Sequence, residues 1–143
     1  MRPSVLVCDF GGVDMSGFTE TYFEHLDVNT ELLDRLRAWR ADGLRMAMCT
    51  NNVREWEPRW RAMVPVDELF ETVVDSAFVG ARKPEPRIYE IVLERLGVPA
   101  SECVFLDDFA INCEGAEAAG MRAVHFRDNA QALPELRAAL GEG

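Results

Sequence analysis

Two short, wholly apolar runs in this chain end in acid. Val5-Leu6-Val7-Cys8 is followed at once by Asp9, and Val104-Phe105-Leu106 by the pair Asp107-Asp108. An unbroken apolar run of this length fits a strand buried on both faces, the habit of parallel sheets covered by helices. A carboxylate at the mouth of such a strand is costly unless something cationic meets it. A parallel sheet that sets the two strand ends side by side would gather three carboxylates around one point. Like charges that close do not all ionise without a cation between them. The simplest reading is a divalent-metal site with one carboxylate left over as nucleophile.

The rest of the pattern supports a parallel sheet. Ser4 to Cys8 reads as the first strand. Asn29 or Thr30 can cap a helix through Leu32, Leu33, Leu36 and Trp39, with Gly43 just past its end. Leu44 to Cys49 reads as the second strand and Glu71 to Val74 as a short third. Pro84 and Pro86 suit the first turn of a helix that carries Ile88, Ile91, Val92 and Leu96 and stops at Gly97. Cys103 to Leu106 is the fourth strand, followed by a helix ending at Gly120. Arg122 to Phe126 is the fifth strand, and a last helix covers Ala130 to Leu140. Strands alternating with helices define an α/β fold: a five-stranded parallel sheet flanked by helices, three-layered and Rossmann-like, with right-handed crossovers. A length of 143 residues and 48% apolar content fit one domain, 1–143, with a real core. There is no repeat, low-complexity tract or linker.

Two segments stay open. Asp14 to Val28 carries Phe18, Tyr22, Phe23 and Leu26 at helical spacing, as one amphipathic turn on the body or as a vestigial flap or oligomer contact beside the site. Trp56 and Trp60 lie four apart with Pro58 between them, so a helix there starts near Glu57. They read as packing, or as the surface of a homodimer, where aromatics are enriched.

Charge and cysteine usage narrow the partners. A net charge of −10 argues against nucleic-acid backbone and anionic membrane, which call for basic patches. No stretch approaches the roughly 20 apolar residues of a membrane span, and Met1-Arg2-Pro3 leads straight into a strand, so a cytoplasmic location is expected. Cys8, Cys49, Cys103 and Cys113 lack metal-ligand spacing and read as small buried hydrophobes in a reducing setting. His25 and His125 read as structural or exposed. Of fifteen basic residues only Lys83 is lysine; a compact ammonium on a thin stem reaches a crowded acidic pocket better than a guanidinium fork.

Ligands of open α/β sheets bind outside the carboxyl ends of the strands. Those ends here carry Asp9, Thr50-Asn51 and Asp107-Asp108, with Lys83 just before a helix on the same edge. A carboxylate nucleophile, hydroxyl and amide donors, an ammonium and an acidic pair are the parts needed for phosphoryl transfer to a carboxylate.

In that order the blocks Val7-Cys8-Asp9-Phe10-Gly11-Gly12-Val13, Met48-Cys49-Thr50-Asn51-Asn52, Arg82-Lys83-Pro84-Glu85-Pro86-Arg87-Ile88-Tyr89 and Val104-Phe105-Leu106-Asp107-Asp108, continuing to Asn112, Gly115-Ala116 and Gly120-Met121, resemble the signatures of the haloacid dehalogenase-like (HAD) hydrolase superfamily. The later blocks most resemble its sugar-phosphate phosphatases and the amino-terminal phosphatase domain of soluble epoxide hydrolases. The resemblance implies a HAD-like fold and a Mg²⁺-dependent phosphomonoester phosphatase. Asp9 would form an aspartyl-phosphate, and Lys83 would stabilise nucleophile and phosphoryl charge. Thr50 and Asn51, with Gly11 and Gly12, would line the phosphoryl site. Asp9, Asp108, Asp107 and the Gly11 carbonyl would hold Mg²⁺. The substrate would be a small phosphorylated molecule or a phosphorylated macromolecule.

The chain departs from the family pattern twice. Gly11 stands where phosphatases of this family usually carry a second Asp as general acid and base, a function worth typically 10²–10⁴-fold; the alternative is an impaired phosphate- and Mg²⁺-binding regulatory domain. Asp14 is a substitute if the chain folds back. Only about forty residues separate Asp9 from Thr50, so the usual cap domain is expected to be essentially absent and the site open. Carbon–halogen hydrolysis is disfavoured by the acidic pair and the missing cap.

Overall fold

The computed structural model describes residues 5–9, 30–51 and 66–141. Five strands form one sheet: β1 (Val5–Cys8), β2 (Arg45–Thr50), β3 (Thr72–Asp75), β4 (Cys103–Asp107) and β5 (Arg122–His125). Their spatial order is β3-β2-β1-β4-β5, and every pair is parallel. Between them run α1 (Thr30–Ala41), α2 (Val66–Leu69), α3 (Ser76–Val79), α4 (Pro86–Leu96), α5 (Ala110–Ala118) and α6 (Asn129–Ala139).

The unbroken apolar runs are explained by burial on both faces. In β1 all four residues are buried, and so are all five of β4. Alternation along each strand splits them between two cores. Leu6, Cys8, Met46, Met48, Val104 and Leu106 pack with Leu32, Leu36 and Trp39 of α1 and Leu136 of α6. Val5, Val7, Ala47, Cys49, Cys103 and Phe105 pack with Ile88, Tyr89 and Val92 of α4 and Ala116 of α5. The expected α/β class, sheet and flanking helices are present.

Boundaries differ from expectation where local chemistry intervenes. Pro84 lies outside α4, in a turn closed by Glu85 N–H donating to the Arg82 carbonyl (2.8 Å), and the Lys83–Pro84 bond is cis; Pro86 opens the helix. Strand β3 runs one residue further than expected because Asp75 both pairs with Thr50 and caps α3, accepting from Ala77 N–H at 2.9 Å. The short helices α2 and α3 were not anticipated, since four residues carry no readable period. The segments 10–29 and 52–65 lie outside the described residues. With them go Gly11, Gly12, Asp14, His25, Trp56, Trp60, the proposed flap and the place of a cap.

Topology fixes the site. From β1 the chain moves outward to β2 and β3, then returns to the other side of β1 to form β4 and β5. The order therefore reverses between β1 and β4, and a crevice opens there at the carboxyl ends. Asp9 and Asp107-Asp108 are the residues that leave those two ends.

Candidate active site

The tips of β1 and β4 are neighbours. Cys8 pairs with Leu106, and Asp9 N–H donates to the Leu106 carbonyl at 3.0 Å, so Asp9 and Asp107 emerge side by side. One carboxylate oxygen from each of Asp9, Asp107 and Asp108 lies within 4.8 Å of the others. Lys83 enters this cluster from below α4. Its Nζ stands 2.5 Å from Asp107 Oδ2 and 3.2 Å from Asp9 Oδ1, and all three side chains are buried. The ammonium also sits 5.6 Å from the Phe105 ring centroid, within reach of a cation–π attraction.

Each charged group has a defined setting. Asp107 donates nothing and accepts much: Lys83 at Oδ2, Phe109 N–H at Oδ1 (2.9 Å), and Asn112 Nδ2 at 3.3–3.4 Å to both oxygens. Asn112 is steered in turn by α4, because the Tyr89 hydroxyl donates to its carbonyl at 2.7 Å. Asp9 Oδ1 is different. It is buried and near Nζ, yet has no aligned hydrogen-bond donor among the described residues. Asp108 is the exposed member of the three.

Electrostatics follow from that packing. Burial lifts the Asp9 carboxyl to about 7; Lys83 opposes the shift, while Asp107 and Asp108 reinforce it. Burial, followed by repulsion from Asp107, lifts Asp108 to about 6. Burial works to lower the Lys83 ammonium, but the carboxylates of Asp9 and Asp107 more than reverse it, so Lys83 stays charged well above neutrality. Were all three carboxylates to ionise against the one ammonium, the cluster would carry two excess negative charges. A divalent cation would cancel both, and the carboxylate oxygens of the acidic triangle are hard donors of the type Mg²⁺ selects. The residues present fit such an ion.

Thr50 and Asn51 lie at the carboxyl end of β2, both buried. The Asn51 side chain is engaged in a way the sequence did not reveal. Its Oδ1 accepts from Lys83 N–H (2.8 Å) and its Nδ2 donates to the Lys83 carbonyl (3.1 Å). Asn51 thus clips the lysine's backbone in place. Asn112 is a second contributor that sequence reading left inside a motif without a role. An amide flanked by Ile111 and Cys113 in the first turn of a helix is costly to bury unless partnered, and that was the available signal.

The fold and this cluster agree with what the chain is similar to. A profile of haloacid dehalogenase-like hydrolases matches residues 16–120; the chain belongs to that hydrolase family. Among curated relatives, rat Bifunctional epoxide hydrolase 2 is 34% identical over 118 residues, covering 80% of this chain and 21% of that protein. Phosphatase MT3486 of Mycobacterium tuberculosis is 40% identical over 85 residues, covering 59% of this chain and 39% of that protein. The chain therefore spans well under half the length of these relatives. Among solved structures, a HAD family enzyme from Bacteroides thetaiotaomicron, an aspartate-to-alanine mutant in complex with magnesium and inorganic phosphate, is 27% identical with a TM-score of 0.63, covering 71% of this chain and 55% of that one.

Proposed function

We propose that the chain is a Mg²⁺-dependent phosphomonoesterase acting through an aspartyl-phosphate on Asp9. The observation that carries this reading is the Lys83 ammonium buried between Asp9 and Asp107 at the topological switch point, with Asp108 completing an acidic triangle. Phosphatases among the relatives, and magnesium with phosphate in a solved neighbour, support it.

Asp9 attacks phosphorus in line with the ester oxygen; the Oδ–P bond forms as the P–O ester bond breaks, and the alkoxide leaves and takes its proton from solvent water. Water then adds to phosphorus, and Asp9 departs as carboxylate with release of inorganic phosphate. Lys83 offsets negative charge on Asp9 and on the phosphoryl oxygens. The Thr50 hydroxyl and Asn51 N–H hold the phosphoryl group. Asp107 is already saturated by Lys83, Phe109 and Asn112, so metal ligation falls to Asp9 and Asp108, with the Gly11 carbonyl. When bound, Mg²⁺ supplies charge neutralisation at the transferring phosphoryl group.

Gly11 offers no side chain to protonate the leaving group, so esters of acidic alcohols such as aryl phosphates turn over fastest. The substrate class is a small phosphorylated molecule. No helix among the described residues is long and apolar enough to cross a membrane. The four free, buried cysteines support a reducing, cytoplasmic setting; burial pushes Cys49 and Cys113 up to about 12, which keeps them protonated and inert.

The test is hydrolysis of para-nitrophenyl phosphate with and without Mg²⁺. Metal-dependent release abolished by Asp9→Asn supports the phosphatase. No release in the wild type, together with a melting temperature raised by Mg²⁺ and beryllofluoride, would replace it with the regulatory reading that Gly11 favours.

A further inference from the structure

Asp108 is the least confined of the three acids, and its main chain belongs neither to β4 nor to α5. A side chain of β5 holds it from the side. His125, at the end of β5, places Nε2 2.9 Å from the Asp108 carbonyl oxygen. A carbonyl only accepts, so Nε2 carries the proton of this hydrogen bond. The histidine is itself braced. Gln131, in the first turn of α6, donates from Nε2 to the His125 carbonyl (2.9 Å) and accepts from Arg127 N–H at Oε1 (3.0 Å), while its own N–H is capped by Asp128 (2.8 Å). One residue on, Phe126 N–H donates to the Asp107 carbonyl at 2.8 Å. The β5 end therefore grips successive carbonyls of both acids.

We propose that His125 is a positioning residue that presets the Asp108 carboxylate for its divalent cation. Fixing the Asp108 carbonyl fixes the peptide plane that follows it, and with it the backbone from which the most exposed of the three acidic side chains departs. The inference rests on the reading of the acidic triangle as a Mg²⁺ site. Outer partners of metal ligands typically contribute 10–100-fold to affinity; a partner acting on the ligand's main chain belongs at the low end of that range.

The test is calorimetric titration of the metal-free full chain with Mg²⁺, with melting temperature and circular dichroism recorded alongside. His125→Phe keeps the ring volume and removes the donor. Affinity for Mg²⁺ is expected to fall about tenfold, with kcat on an aryl phosphate within about threefold of wild type once Mg²⁺ saturates. His125→Gln puts an amide nitrogen where Nε2 stood and is expected to restore affinity to within about threefold. Where His125→Phe does not fold, the smaller His125→Ser supplies the same comparison. Wild-type affinity in His125→Phe, or His125→Gln as weak as His125→Phe, overturns the positioning role and leaves the Mg²⁺ site standing. A wild-type chain that takes up no Mg²⁺ overturns both.

Discussion

Arg87 and Lys83 each stand between two acids, one pair on the surface and one in the interior. Arg87 reaches Glu90 at 3.2 Å and Glu94 at 3.0 Å on the outer face of α4. Four residues earlier, Lys83 reaches Asp9 at 3.2 Å and Asp107 at 2.5 Å. The count and the distances nearly match. The surroundings do not: the Arg87 group is more than half exposed, whereas the Lys83 group is sealed from solvent. In water, attraction is screened and each partner can do without the other. In the interior each charge depends on its partners, and taking one away leaves the others stranded. The difference separates an ornament of a helix from a site prepared for chemistry.

The largest effect tests that dependence directly. Lys83→Met keeps the stem and removes the charge, leaving Asp9 and Asp107 buried without compensation. Breaking a buried pair of this kind destabilises by about 3–5 kcal/mol, read from urea unfolding, and phosphate release should vanish with it. A loss no larger than that of a surface variant would break the comparison.

A second prediction uses pH on the metal-free protein. The Asp9 carboxyl is raised from 3.8 to about 7, chiefly by burial. A raised carboxyl means the folded state holds its proton more tightly than the unfolded one. Its contribution to stability is therefore fully present below about 4 and is lost as pH climbs through about 7. Asp9→Asn carries no such proton. Metal-free wild type should thus melt progressively lower relative to Asp9→Asn between pH 4 and 7.5, and Mg²⁺ should close the gap at the upper end. Melting curves that run parallel across that range would contradict the assignment of Asp9 as the strained acid.

A smaller effect probes the support behind Asp107. A Cβ added at Gly115 would meet the Tyr89 Oη at 2.6 Å and Cε2 at 2.9 Å, and Tyr89 is fully buried. Gly115→Ala should displace the ring, strain its hydrogen bond to the Asn112 carbonyl and destabilise by about 1–3 kcal/mol. Adding Tyr89→Phe removes the nearest clashing atom and should recover part of the loss in a double-mutant cycle. Full additivity of the two changes would show that ring and glycine do not meet.

What the sequence disclosed was whatever chemistry is local or periodic. Val5 to Cys8 could only be a doubly buried strand, and the acids at its end and at the end of Val104-Phe105-Leu106 announced the triangle. Lys83 stood out because it is the one lysine in a chain that otherwise uses arginine. The contacts that aim these groups were not legible, since they join distant positions through backbone atoms. The Asn51 clip on Lys83 spans 32 residues, and the His125 contact with Asp108 spans 17. A side chain that binds a carbonyl or N–H leaves no complementary residue type for a reader to find. His125 accordingly read as structural or exposed, and Asn51 as a donor to substrate. The roles of Gly11 and Gly12 stay proposals, their positions being outside the described residues.

The smallest expected effect closes the comparison from its exposed side. Arg87→Ala removes two ion pairs and leaves Glu90 and Glu94 in solvent, free to hydrate. Nothing buried loses a partner, and alanine favours the first turns of a helix. The urea midpoint should not move measurably, and phosphate release should keep its wild-type rate. Raising salt from 0.05 to about 0.5 M should erase any residual difference, because exposed pairs are screened at that ionic strength. The same rise in salt should leave the Lys83→Met deficit almost intact, since buried charges are screened far less than exposed ones. A salt-sensitive Lys83 deficit would mean that solvent reaches the ammonium, and the contrast between the two triads would lose its cause.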